Sequence, residues 1–192
     1  MTARTPAPDK FAARRARLLG ALRGRVLEVG GGSGPSLEHY DCSIDLVFTE
    51  PGVLDLEAAV ARPVVPAGAQ FAQALLPNLP FGDVSFDAVV VMRVLCSVPD
   101  LAPAIDELRR VLRPGGTLVF MEHVRSPNRL LGLGQRVIAR PWRSYWGCWP
   151  DRDVARALHE AGFVIEWLDR FEWGPPPVRP RMFGVARLPG RP

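Results

Sequence analysis

Val26-Leu-Glu-Val-Gly-Gly-Gly-Ser-Gly34 is the stretch whose reading decides the fold. Val26, Leu27 and Val29 form a short apolar run with the character of a buried parallel strand. The run ends in Gly30, Gly32 and Gly34, and a helical pattern follows from Pro35. Glycines placed there let the backbone approach a ligand closely, in dihedrals that a Cβ would oppose. Glu28, two residues before Gly30, would repel a pyrophosphate and suits a cation or an ammonium group. The dinucleotide fingerprint requires a third glycine at the place occupied by Pro35, so the spacing is a different one: Glu28-x-Gly30-x-Gly32-x-Gly34.

Working outward, residues 44–49 give a second apolar strand that runs into Glu50, followed by Pro51 and Gly52. An acid about 20 residues beyond a glycine loop is placed to accept ribose hydroxyls. A helix is expected from Val53 to Ala61, a short strand near 69–73, and a fully apolar strand from Ala88 to Met92. Asp100 caps a helix that Arg113-Pro-Gly-Gly116 ends, and Thr117 to Glu122 form the next strand. Residues 125–150 are aromatic and interrupted by Pro127, Pro141 and Pro150, so they read as a lid over the sheet's end. Asp151 is then expected to cap a helix ended by Gly162, and Phe163–Phe171 and Met182–Leu188 to form an antiparallel edge hairpin. Upstream, Asp9 to Leu22 reads as an amphipathic helix. Alternating strands and helices imply an α/β domain with a mostly parallel sheet covered on both faces. Its ligands bind beyond the carboxyl ends of the strands.

The 192 residues, 47% hydrophobic and 23% charged, describe one globular domain rather than a disordered chain. No apolar run is long enough for a transmembrane helix, and no signal core opens the chain, which makes the cytoplasm the expected location. The net charge of +4 comes from arginines scattered over many elements, so no nucleic acid is expected as a partner. Cys42, Cys96 and Cys148 show no paired spacing of a disulfide framework or metal site, and Cys96 reads as a small buried hydrophobe.

The loop and the order of elements resemble the class I S-adenosylmethionine (SAM) methyltransferases along nearly the whole chain. Leu79-Pro-Phe, Ser85-Phe-Asp87, Val98-Pro-Asp100 and Leu108–Gly116 are similar to the ubiquinone and menaquinone biosynthesis type. A narrower likeness, to the methyltransferase-like alkyl thiol S-methyltransferases, rests on four segments: Val94-Leu-Cys-Ser-Val98, Phe120-Met-Glu-His-Val124, Gly147-Cys148 and Val178–Gly184. The resemblance implies a single-domain Rossmann-like fold with a seven-stranded, mostly parallel sheet. Residues 1–24 would add an N-terminal helix, and 125–150 would cover the substrate.

It also implies SAM as cofactor, with S-adenosylhomocysteine as product. Glu28, Gly30, Gly32 and Gly34 would line its methionine and ribose portions, and Glu50 would hold the ribose hydroxyls. Pro51, Gly52, Leu75 and Leu76 would border the adenine; Leu75 stands where many relatives carry an aspartate. Met92, Arg93 and Leu95, at the end of the fourth strand, complete the expected cofactor set. Arg93 would bind a substrate anion or pair with Glu122. His123 is the candidate general base, since it follows the fifth strand and imidazole titrates in the useful range. Trp142, Tyr145, Trp146 and Trp149 are expected to close an apolar pocket over a small hydrophobic acceptor. The expected activity is methyl transfer to such an acceptor, preferably a thiol. The alternatives are O- or C-methylation of a phenol or quinone precursor, and SAM binding without turnover.

Overall fold

In the computed structural model, which describes residues 12–174 and 178–190, the glycine loop joins β1 (Arg25–Val29) to a single 3-10 turn, Leu37–His39. The helix expected from Pro35 is thus shortened to one turn. Its face is taken up by Ser36 and Tyr40, whose hydroxyls are spent on Glu28. The other early elements are α1 (Ala12–Gly20), β2 (Asp45–Thr49), α2 (Val53–Val60), β3 (Gln70–Ala72), β4 (Phe86–Met92) and α3 (Leu101–Val111). Asp100 caps α3 by accepting a hydrogen bond from the Ala102 amide. The part of the N-terminal helix expected before residue 12, and Pro175–Pro177 in the hairpin loop, lie outside the described residues.

The later elements are β5 (Leu112–His123), α4 (Arg129–Trp146), α5 (Val154–Glu160), β6 (Val164–Glu172) and β7 (Pro180–Arg187). The sheet order is β3-β2-β1-β4-β5-β7-β6, with β7 antiparallel to both its neighbours. The chain leaves β1 toward one edge and returns at β4, so the carboxyl ends of β1 and β4 flank a topological switch point. Strand alternation divides the core. Leu27, Val29, Val89, Val91, Leu118 and Phe120 pack on the α3–α5 face, and Val26, Ala88, Val90 and Val119 on the opposite one.

Residues 125–150 depart furthest from expectation. They hold an 18-residue helix that runs through Pro141. Asn128 caps it by accepting from the Leu130 and Leu131 amides, and Gly147 ends it at φ 77°. Proline removes the hydrogen bond to the carbonyl four residues earlier, that of Val137. Val137 and Pro141 both face solvent, so the lost hydrogen bond lies on the exposed side of the helix. The cap of α5 likewise falls on Asp153 rather than Asp151, through the Arg156 amide. Among the described residues no helix is long and apolar enough to cross a membrane.

Candidate active site

Two connected spaces open at the switch point. One, of about 240 Å3, lies over the glycine loop and is lined by Arg15, Glu28, Gly30, Gly32, Met92 and Met121, among others. The second, of about 430 Å3, is lined by Glu50, Pro51, Leu75, Leu76, Ser97 and Arg143, among others. Gly30 and Arg93 border both, so they form one cleft with a waist. A wider depression of about 610 Å3 against α4 shares no residue with this cleft.

The loop's geometry explains its glycines. Gly30, Gly32 and Gly34 have φ of 64°, 58° and 73°. A Cβ on Gly30 would come within 2.7 Å of Val94, whereas one on Gly32 would meet nothing, so Gly32 faces open space. Gly34 serves packing instead: its Cβ would press on Leu37 and Ala59. Gly31, a position the motif leaves free, has no room either, since Phe48 sits 2.2 Å from where a Cβ would stand.

Glu50 lies at the end of β2 with both oxygens engaged: Oε2 accepts from the Gly32 amide at 2.8 Å and Oε1 from Gly52 at 3.0 Å. An ionised carboxylate offers about four acceptor directions, so roughly two remain for hydroxyls. Glu28 is buried on the opposite side of the loop. Ser36 donates to it at 2.5 Å and Tyr40 at 3.0 Å. Burial pushes its carboxyl up to about 7, against the pull of those two hydroxyls and of Arg15.

The strand-four side is built around Glu122, which is fully buried. It accepts the backbone amides of Val94, Leu95 and Cys96 at 2.9–3.0 Å. Burial raises it to about 7 despite those bonds. The Arg93–Glu122 pair considered from sequence does not form, because Glu122's oxygens are taken by the loop amides. Arg93 instead turns into the cleft with φ at 63°. The Arg152 guanidinium donates to the carbonyls of Leu95, Val98 and Pro99, so the same loop is held through its amides on one side and its carbonyls on the other.

Leu95 is fully buried, its amide on Glu122, and does not line the cleft. His123 does not line it either. It is buried, with Nδ1 3.4 Å from the Cys96 sulfur, while Nε2 finds no hydrogen-bond partner among the described residues. Cys96, His123 and Cys148 present donor atoms all within 4.8 Å of one another. The thiol pair divides its charge. Hydrogen bonding from Cys96 pulls Cys148 down, helped by His123 and Trp142, while the same bond and burial push Cys96 up. Spacing along the chain gave no sign of this group, because its members lie on three separate elements.

The lid aromatics separate. Trp142 packs against Cys96, Cys148 and Val178, and Trp149 lies under Arg152. Tyr145 and Trp146 are mostly exposed, 81% and 63%, and the structure does not bring them to the cleft. The helical period accounts for this: α4 turns its inward face through Gly132, Gln135 and Ala139, and Tyr145 falls on the outward stripe with Leu130 and Val137. From α4 it is Arg143 that lines the cleft.

Residues 27–120 match the family model described as a methyltransferase domain. The thiol S-methyltransferase TMT1B of Rattus norvegicus is 33% identical over 172 residues, covering 84% of this chain and 69% of that protein. The chain belongs to the class I SAM-dependent methyltransferases. The TMT1A thiol S-methyltransferase of Homo sapiens is 32% identical with the same coverages. A demethylmenaquinone methyltransferase of Roseiflexus castenholzii is 34% identical over 59% of this chain and 49% of its own. In fold, a SAM-dependent methyltransferase from Methanosarcina mazei superposes with a TM-score of 0.69 at 20% identity, covering 87% of this chain and 93% of that one.

SAM is the methyl donor of this methyltransferase, and the cleft fits it. Glu28 is a buried acid that a ligand's ammonium would ionise, and Gly32 leaves open space where a nucleoside would approach the backbone.

Proposed function

We propose that this methyltransferase S-methylates small lipophilic thiols. The observation that carries the reading is a convergence. The four segments similar to alkyl thiol S-methyltransferases are far apart in sequence, and each contributes to one spot at the ends of β4 and β5. Cys96, His123 and Cys148 meet there, Val178 packs on the two cysteines, and Arg181 stands opposite His123 in the β5–β7 register. Resemblance gathered at one place beside the cofactor cleft is what a shared acceptor would require. The names of the TMT1 relatives support the same reading.

When bound, SAM supplies an electrophilic methyl on a sulfonium. Glu28 is proposed to face its ammonium and Glu50 its ribose hydroxyls. Gly30, Gly32, Gly34 and Gly52 would provide backbone approach, directly or by shaping the loop. Pro51, Leu75 and Leu76 give an apolar wall for adenine, and Met92 with Arg93 frames the waist beside the methyl. A thiol has an ordinary pKa near 8.5, so modest help in losing its proton suffices. His123 is proposed to take that proton, with the cysteines and Trp142 shaping the surrounding pocket.

Labelled SAM with a panel of thiols, phenols and amines tests this. Transfer to thiols at least about tenfold faster than to phenols of equal size is expected, a preference of roughly 1.4 kcal/mol in the barrier. Transfer to oxygen or carbon alone overturns it. The demethylmenaquinone relative favours that second outcome, C-methylation of a quinone precursor.

A further inference from the structure

We propose that Cys96, His123 and Cys148 form a binding site for one thiophilic metal ion, Zn2+ in the first instance, whose fourth position accepts an exogenous thiol. The last clause rests on the S-methylation reading; the three-ligand site does not.

Two sulfurs and an imidazole are the donor set that selects zinc or copper(I) over the hard cations. With zinc bonds of about 2.3 Å to sulfur and 2.0–2.1 Å to nitrogen, tetrahedral donors stand roughly 3.5–3.8 Å apart. The Cys96 sulfur and His123 Nδ1 are already at 3.4 Å, and no pair in the group exceeds 4.8 Å. Closing onto an ion therefore takes a small side-chain adjustment. Both cysteines are free thiols.

The supports of the three donors are fixed by bonds between their neighbours. Cys96 is held by Glu122 through its amide, and its carbonyl accepts the Trp149 amide at 2.7 Å. That second bond ties the segment carrying Cys148 to the segment carrying Cys96. His123 ends β5 in register with Arg181. Three donors from separate, anchored elements leave one tetrahedral position for a non-protein ligand, as in zinc sites that keep an open position. Cys96 also adjoins Ser97, which lines the cofactor cleft, so the group sits one residue behind the cleft wall. A thiol entering there would bind as thiolate and give its proton to solvent, so with the ion in place His123 acts as a ligand and not as the base. On metal binding the Cys96 and Cys148 thiols likewise yield their protons to solvent.

The test uses the full, reduced chain. Titration with Zn2+ against a chromophoric chelator should give one equivalent bound. Co2+ should give a tetrahedral visible spectrum with thiolate charge-transfer bands, shifted by added thiophenol. His123→Ala and Cys148→Ala should each weaken Zn2+ by roughly 100-fold or more, since losing a ligand exceeds the 10–100-fold cost of losing an outer-shell partner. Cys42→Ala, at an exposed cysteine outside the group, should bind as the wild type does. Circular dichroism and SAM titration check that each variant is folded. A Co2+ spectrum unmoved by thiophenol overturns the fourth-ligand clause, and unchanged Zn2+ affinity in folded His123→Ala overturns the site. The two readings fail separately. Reduced protein that binds no zinc yet methylates thiols removes the metal site alone. Zinc held at one equivalent by protein that methylates only phenols supports the site and removes S-methylation.

Discussion

Glu28 and Glu122 sit in equivalent surroundings and do opposite things. Each is an acid near the carboxyl end of an apolar central strand, each is buried, and each is raised to about 7 by that burial. Glu122 is satisfied by three backbone amides of the loop after β4, so its place is filled by the protein itself. Among the described residues, Glu28 receives two side-chain hydroxyls, and it borders the cleft over the glycine loop. Burial alone therefore does not mark a ligand-binding acid. What distinguishes the two is whether backbone donors have used up the carboxylate.

The comparison breaks most visibly at Glu122. Glu122→Ala strands three loop amides, and stability should fall by about 3–5 kcal/mol, the range for breaking a buried charged network. Urea unfolding measures this; a loss under about 1 kcal/mol would mean that the loop holds itself.

At the cofactor, the largest effect should come from Glu50→Ala. On the role proposed for Glu50, two charge-assisted hydrogen bonds to ribose are lost, weakening SAM by roughly 2–4 kcal/mol. Calorimetry on protein with an unchanged circular dichroism spectrum checks it. Unchanged affinity would place the ribose elsewhere.

The finest discrimination comes from Glu28→Gln. A carboxyl whose folded pKa is raised above its unfolded value stabilises the protein below the unfolded pKa, and that stabilisation is lost as pH rises through the folded pKa. Here the window runs from about 4.5 to about 7. Without SAM, the variant should match the wild type near pH 4.5 and be more stable at pH 8, by on the order of 1–3 kcal/mol. With SAM the order should reverse, because the ammonium loses its partner. A variant less stable at pH 8 without ligand would show that Ser36, Tyr40 and Arg15 outweigh the cost of burying the charge.

The succession of strands and the glycine loop were legible because they depend on local pattern: Val26, Leu27 and Val29 could hardly face water, and three alternate glycines mark a turn. Glu50 was legible from its distance to that loop. Other features required knowing what packs on what. Pro141 read as a helix breaker because sequence does not reveal that its side of α4 faces solvent. Gly31 looked free because Phe48, which crowds it, comes from another strand. Cys96, His123 and Cys148 are separated by 27 and 25 residues, beyond any spacing rule for metal ligands. An acid embedded in Val119-Phe-Met-Glu-His was a signal in its own right, and searching for its hydrogen-bond donors would have led to the β4 loop.

Arg93 carries a last consequence. At φ 63° glycine would be relaxed, and an arginine forgoes roughly 1–2 kcal/mol by standing there. A residue kept at such a disadvantage has to return the difference through its side chain. The waist of the cleft, which Arg93 borders, is where a negatively charged portion of an incoming molecule would repay it. Replacement by glycine would thus make a sturdier protein and a poorer host.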